Sequence, residues 1–442
     1  MKTKSIMLGL LSAMMLMASC SKEDVGGNAS APVEGVETYA SFSVSINNPG
    51  TRAAANDANA VQEETQIDKV NIFIFSGGVL ESKGTIQINT QNEGTTALKT
   101  TTGLKTIYAV TNLDVTGEVN SLQKAFEEQL INEANIAKEN AFLMVGATET
   151  TLTEQTETDA VQKNNLIGIN VSRAAAKVQM KFDNVPVKDV VNAVVSDAKY
   201  ILAQQNKQTF LYRVGYDLTP NGGANQVDGD ADGTFDHLNA IPANIQWKDA
   251  VNDWNHNFVN SFYLAENVNQ APVSGNTSFV LVEVKVTPTQ KWDNTQFTNW
   301  DNTKQDFWVI ATTDENTSTI TFAAAQEMDG VNKILYFESE NEATSYLNDN
   351  NIDGEVVHYT GGKSYYRLNI RDINKNVLTE KYAVLRNNYY KVNISEISNL
   401  GFNTPTGTVP TKPETPLETD TYISAEITIE PWTEVVMNEP LG

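Results

Sequence analysis

The chain has 442 residues, with 55 Asp and Glu against 31 Lys and Arg, a net charge of −24 and a single cysteine. That balance excludes the basic footprint that nucleic acid or anionic lipid requires, and it suits a soluble, exposed surface protein. One cysteine, Cys20, excludes internal disulfides, multi-thiolate metal sites and a cysteine nucleophile in the body.

The N-terminus reads as an export signal. Lys2 and Lys4 form a basic region, Ile6 to Met17 an apolar one, and Met17-Ala18-Ser19-Cys20 closes it with small residues before the cysteine, although Met17 stands where leucine is usual. This is a bacterial lipoprotein signal: residues 1–19 are the signal peptide and Cys20 is the lipidation site. The apolar run is too short to span a bilayer, and no other stretch approaches the ~20 apolar residues a spanning helix needs. A diacylated Cys20 attaches the precursor by palmitate-type chains. Residues 1–52 contain four basic (Lys2, Lys4, Lys22, Arg52) and four acidic residues (Glu23, Asp24, Glu34, Glu37), so their removal leaves the acidic excess to the body.

Most of the remaining segments alternate apolar and polar residues with β-branched and aromatic enrichment, the pattern of half-buried strands. Strands are expected at Lys69 to Phe75, Lys105 to Thr111, Leu166 to Val171, Lys177 to Phe182, Lys199 to Ala203, Ser278 to Val286, Phe307 to Ala311, Tyr365 to Ile370 and Tyr389 to Ile394. One helix is expected after Asn120 as N-cap, from Leu122, Phe126 and Leu130, plugging an end of the first sandwich. A domain boundary is placed at Asn184-Val185-Pro186. Residues 403–420 hold Pro405, Pro410, Pro413 and Pro416 and are expected to be extended. At polyproline II rise those 18 residues reach roughly 55 Å.

Two segments near opposite ends look alike. Thr38 to Ile46 reads TYASFSVSI and Thr421 to Ile429 reads TYISAEITI, with four of nine positions identical. Ala40, Phe42, Val44 and Ile46 share an apolar phase with Ile423, Ala425, Ile427 and Ile429. Because side chains alternate at period two, strands of one phase present the same positions to one groove. Two β segments of this composition also share such a pattern by chance. The first is followed by 20 residues without periodicity, Asn47 to Gln66, longer than loops usually run unless functional or disordered. That stretch has one basic residue, Arg52, among small residues of the kind proteases nick. A lone loop arginine is ordinarily just solvated, but a cut between Arg52 and Ala53 detaches a whole strand together with the lipid. The expectation is donor-strand exchange, in which Thr38 to Ile46 leaves and Thr421 to Ile429 of the next copy takes its place.

The residues Ala18 to Asp24 (ASCSKED), Thr51-Arg52-Ala53, Ser172 to Val178 (SRAAAKV), Phe279 to Pro288 (FVLVEVKVTP), Arg386 to Asn403 (RNNYYKVNISEISNLGFN) and Tyr422 to Trp432 (YISAEITIEPW) carry a family resemblance. The chain resembles the Bacteroidales major fimbrium subunits (fimbrillins, type V pilins), most closely the short-fimbria major subunit, over nearly its whole length and in order. The resemblance implies a mainly β fold of two transthyretin-like β-sandwich domains and lipoprotein export to the outer membrane surface. It also implies cleavage by a trypsin-like, Arg-specific protease at Arg52, polymerisation through the C-terminal strand, and accessory anchor and tip proteins. The parts are then signal peptide 1–19, lipidated propeptide 20–52 containing strand 38–46, sandwich domains 53–184 and 185–402, linker 403–420 and donor region 421–442. Residues from about Asp217 to Thr303 depart from the family, and nothing is carried over there.

Other chemistry is sparse. Asp228, Asp230, Asp232 and Gly233, with Asp236, begin like a calcium loop, with hard oxygen ligands at alternate positions and glycine at the turn, but Asn239 stands where a bidentate glutamate belongs. These four aspartates are the candidate calcium ligands, a solvated acidic loop is the more ordinary reading of them, and no other cofactor is expected. Three scattered histidines, His237, His256 and His358, support neither a triad nor a zinc site. Trp247, Trp254, Trp292, Trp300 and Trp308 are expected to pack in the core and at edges rather than form a sugar-binding face. The reading is therefore a non-enzymatic shaft subunit of a surface fimbria (pilus), serving cell adhesion and biofilm formation. A fimbrial tip or stand-alone glycan-binding adhesin is the second reading, and a surface glycosidase resting on an acid pair the third.

Overall fold

The computed structural model describes residues 35–46, 60–88, 94–113, 121–162, 165–212, 238–239, 241–242, 245–254, 257–269, 271–417 and 422–432. Cys20, Arg52, Ala53, the aspartates 228, 230, 232 and 236, His237, His256 and Thr421 lie outside the described residues.

The fold is mainly β. Among the described residues the first sandwich is built on one seven-stranded sheet in the order β3-β2-β5-β6-β7-β1-β4. Its strands are β1 (Glu37–Ile46), β2 (Val70–Ser76), β3 (Val79–Ile86), β4 (Leu98–Thr101), β5 (Gly103–Thr111), β6 (Met144–Leu152) and β7 (Leu166–Arg173). The sheet curls until its two ends meet. Glu81 of β3 accepts hydrogen bonds from Thr100 Oγ1 at 2.6 Å and Thr101 N at 2.7 Å on β4, and from the buried Lys105 Nζ at 2.6 Å. The rolled sheet wraps a core of Phe42, Ile72, Ile74, Ile107, Val110, Ile169 and their neighbours.

The second sandwich packs two sheets face to face. One has the order β11-β8-β17-β18 and the other β10-β9-β12-β16. The ranges are β8 (Ala176–Lys181), β9 (Ala193–Ala203), β10 (Lys248–Asp249), β11 (Phe262–Leu264), β12 (Phe279–Pro288), β16 (Lys363–Asn369), β17 (Asn388–Ile397) and β18 (Ile423–Pro431). β12 lies between β9 and β16, and its first four residues are covered on both faces, Val280 and Val282 in the main core and Phe279 and Leu281 in a smaller one, which explains the apolar run there; beyond it the strand alternates. A side layer of β13 (Phe307–Asp314), β14 (Thr319–Phe322) and β15 (Glu355–Tyr359) extends this core.

Each of the nine expected strands is present, most of them longer by a residue or more. Three other expectations are corrected. The boundary near Asn184 moves back to Ala174-Ala175, because Ala176–Lys181 pairs with β17 and β11 of the second sandwich. The expected helix shrinks to α1 (Gln123–Glu127), and Leu130 lies instead in a short strand that pairs with Gln208–Phe210. Phe126 of α1 rests on the rings of Phe73, Phe75 and Tyr108, so the helix covers a sheet face. A longer helix, α2 (Glu340–Asp349), is not among the expected elements; Ser339 caps it by accepting from Glu342 N, a Ser-x-x-Glu signature visible in the sequence.

The described part of the proline-rich linker is not extended. Pro405–Thr408 forms a 3₁₀ turn, and residues beyond it lie along the second sandwich through Ser274 N to Thr415 O, Gly275 N to Pro413 O and Thr411 N to Glu315 O. Pro413 takes part through its carbonyl, the one backbone hydrogen-bonding group that proline keeps. A Cβ on Gly275 would lie 2.3 Å from Pro413 Cβ, and only glycine permits this approach.

Desolvation pushes the Glu81 carboxyl up, but the bonds from Lys105, Thr100 and Thr101 outweigh it and hold the group below its ordinary 4.5. A carboxyl lowered by folding adds stability that is complete above its unfolded pKa and lost as pH falls through the folded one. Acidification below 4.5 therefore weakens the β3 to β4 closure, and Glu81→Gln should flatten the fall in thermal midpoint between neutral and acid pH. An unaltered pH profile in that variant would count against this role.

Candidate functional site

β1 is an interior strand. On one side it runs parallel to β7, Ser41 opposite Leu166 through Ile46 opposite Val171; on the other it pairs antiparallel with β4, Glu37 opposite Thr101 through Ala40 opposite Leu98. Ala40, Phe42 and Val44 are buried in the first core and Ile46 is half-buried, so the apolar phase in the sequence is the inward face. Polar bonds add to this seat. Thr38 Oγ1 donates to Thr153 O at 2.7 Å and accepts from Gln155 N at 2.9 Å, and Ser41 Oγ donates to Ala160 O at 2.7 Å.

β18 has the same alternation in a weaker position. Among the described residues it is the edge of its sheet and pairs only with β17, from Asn388 opposite Pro431 to Ile397 opposite Ile423. Ile423 and Ile427 are buried, and Ala425 and Ile429 half-buried, against Tyr390, Val392, Ile394 and Ile397, while Ser424, Glu426 and Thr428 face out. The two sequence-matched strands thus lie in different sandwiches, each with its apolar stripe inward.

The residue after β18 reveals a feature that the strand pattern did not. Trp432 is fully buried where the two sandwiches meet, and with it Glu64, Arg173 and Lys177, each 0% exposed. Glu64 lies in a 3₁₀ turn before β2, Arg173 ends β7, and Lys177 lies in β8. The Glu64 carboxylate takes Lys177 Nζ at 2.8 Å, Tyr263 Oη at 2.6 Å, Trp432 Nε1 at 2.8 Å and its own turn's Val61 N at 3.1 Å. Arg173 donates from Nε to Glu64 O and from Nη1 to Trp432 O, both at 2.9 Å, with its guanidinium 4.6 Å from the indole centroid. Tyr263 stacks on the indole at 5.6 Å and Phe142 meets it edge-on at 5.5 Å.

A buried carboxylate with four donors is the arrangement that burial of charge demands. Desolvation pulls the Lys177 ammonium below its usual value, and Glu64 pulls it back. Desolvation, then the Glu64 charge, pushes the Tyr263 phenol well up, so it remains a neutral donor. A second junction contact is made by Arg386, which pairs with Glu266 at 2.7 Å and donates to Phe210 O at 2.8 Å.

Sequence reasoning noted the Ser172 to Val178 motif but missed Glu64, Arg173 and Lys177 as a buried group. The available signal was two cations flanking three alanines, an apolar run of the kind that takes a chain through an interior and carries its flanking charges with it. The tryptophans are dispersed as expected: Trp300 is in the main core, Trp292 packs on Phe297 and Tyr346, Trp247 on Tyr365, and Trp308 stacks on His358. Trp254 lies 5.8 Å from Lys391 Nζ. His358 pairs with Asp306 at 2.9 Å. Among the described residues no cluster of three or more His, Cys, Asp or Glu is placed to hold a metal.

Residues 357–438 match the family described as major fimbrial subunit protein type IV, fimbrillin, C-terminal. The chain is 25% identical over 503 aligned positions, covering 94% of it and 95% of the relative, to the Minor fimbrium subunit Mfa1 of Porphyromonas gingivalis. A putative cell adhesion protein from Parabacteroides distasonis ATCC 8503 shares the fold at TM-score 0.50 and 12% identity, over 90% of this chain and 100% of that one. A fimbrilin (fimA) from Porphyromonas gingivalis W83 aligns at TM-score 0.46 and 16% identity over 90% and 98%.

Removing one member of a buried ion pair strands the other's charge, at a cost of about 3–5 kcal/mol. Glu64→Ala should lose about that much in urea unfolding, and adding Lys177→Met should restore part of it. A single-variant loss below about 1 kcal/mol, as for an exposed pair, would refute the burial of this charge.

Proposed function

We propose that this chain, a fimbrial subunit of the Bacteroidales fimbrillin family, builds the shaft of a cell-surface fimbria by exchanging strands between copies. A lipoprotein precursor anchored through Cys20 is cut after Arg52, β1 leaves with the lipid, and β18 of the next copy fills the vacated slot. Accessory proteins anchor and tip the fibre, which serves adhesion and biofilm formation; no catalytic step is involved. One observation carries this reading: β1 is an interior strand bonded on both sides, whereas β18 is an edge strand with the same alternation. Loss of β1 leaves two unpaired strand edges and an apolar floor, and a replacement strand satisfies both.

The register of that replacement follows from side-chain bulk. In the sequence alignment, Ile423 falls at the fully buried Ala40 and Ala425 at the fully buried Phe42. The first overfills its site, at about 1–3 kcal/mol; the second leaves a cavity worth about 3–5 kcal/mol. With β18 running in the direction of β1, a two-residue offset keeps the phase and sets Ala425 at Ala40, Ile427 at Phe42 and Ile429 at Val44. It also sets Ile423 at Thr38, losing the acceptor for Gln155 N at about 1–3 kcal/mol, and Pro431 at Ile46. The offset is the better packed of the two.

Two experiments test this reading. Deleting residues from Asp420 onward should leave soluble subunits beginning at Ala53 by N-terminal sequencing, and SDS-resistant ladders persisting in that variant would place the donor elsewhere. Ala425→Phe separates the registers: the offset predicts that the ring blocks assembly at the Ala40 site, and ladders that form as well as or better than wild type point to the unshifted alignment.

A further inference from the structure

The junction of the two sandwiches encloses Trp432. β18 is joined to its sheet by one ladder, and an edge strand is the part of a sandwich that opens most readily. The residue that follows it is nonetheless among the most enclosed in the molecule. Trp432 is held by its ring, its indole N–H and its backbone at once: the ring stacks on Tyr263 and meets the Arg173 guanidinium, Nε1 donates to Glu64, and the carbonyl accepts from Arg173. Its own N–H donates to Asn387 O at 3.2 Å.

The walls of this enclosure come from both sandwiches. Glu64, Phe142 and Arg173 belong to the first, and Lys177, Tyr263 and Tyr389 to the second. Glu64 lies after Arg52 in sequence, so the pocket stays with the body when the propeptide is removed. A site made by two domains, with three hydrogen bonds to one residue, exceeds what packing the end of an edge strand requires.

We propose that this junction is a specific binding site for the tryptophan that ends the C-terminal strand, and that its occupation by Trp432 of the same copy latches β18 in the unassembled subunit. The inference rests on the reading of β18 as the donated strand, and it adds a step: the indole leaves its pocket before the strand leaves its sheet. Withdrawing Trp432 removes one donor from the buried Glu64 carboxylate and one acceptor from Arg173, and it admits water beside the Glu64 to Lys177 pair. That penalty keeps a strand with a single ladder from being donated prematurely. The chemistry selects an indole, because phenylalanine fills the ring site but has no N–H for Glu64.

The test uses the full, unassembled chain and measures hydrogen exchange by mass spectrometry, comparing wild type with Trp432→Ala and Trp432→Phe. Expected is exchange across β18 roughly tenfold or more faster in Trp432→Ala, and faster by a smaller factor in Trp432→Phe, with β5 and β12 unchanged as the control for folding. Unchanged exchange in β18 of Trp432→Ala overturns the latch, and so does acceleration spread equally over β5 and β12 in both variants. Limited trypsin is then added and SDS-resistant ladders are followed. Faster ladder growth in both variants supports latch and donation together, whereas accelerated exchange with no ladder from any of the three proteins upholds the latch and sinks the donor reading.

Discussion

The buried carboxylate of Glu64 is the point at which the two sandwiches and the C-terminal strand are tied together. A charge placed out of water has to be met by donors and an opposite charge, and each partner comes from a different part of the chain: Lys177 from β8, Tyr263 from β11, Trp432 from beyond β18. Those partners fix the position of one domain relative to the other more sharply than apolar contact does, because hydrogen bonds are directional and hydrophobic burial is not. Arg386 on Glu266 and the strand pair between residues 130–132 and 208–210 brace the same junction.

Around that fixed point the molecule distributes its strands unequally. The first sandwich is closed, its sheet curled until β3 meets β4 through Glu81, with β1 the strand that completes it. The second is bounded on one side by β18, which sits at an edge. In the proposed exchange, closure and edge are complementary conditions: removing an interior strand would create the vacancy that an edge strand of another copy fills. Such chemistry needs no catalytic group, and the free energy resides in apolar burial and ladder bonds.

Much of the site was legible in the sequence because strand periodicity is a local property. Alternation in TYASFSVSI and TYISAEITI identified the inward residues of both strands without reference to any partner. The helices were less legible. Leu122, Phe126 and Leu130 keep helical spacing, but a strand pairing with Gln208–Phe210 claims Leu130 and ends the helix early, a case of tertiary contact overriding local preference. The proline-rich linker likewise reads as extended from composition, and its folding back depends on acceptors and a glycine far away in the chain.

By itself the sequence determined the β class, the phase of each strand and the lone cysteine with its export-type surroundings, since each depends only on neighbouring residues. It did not determine which strand is interior and which is an edge, because that depends on pairing between segments distant in the chain, such as Ser41 with Leu166 and Glu37 with Thr101. Nor did it reveal that Glu64, Arg173, Lys177 and Trp432 form one buried group. Charged residues ordinarily face solvent, and only the meeting of two sandwiches removes these from it.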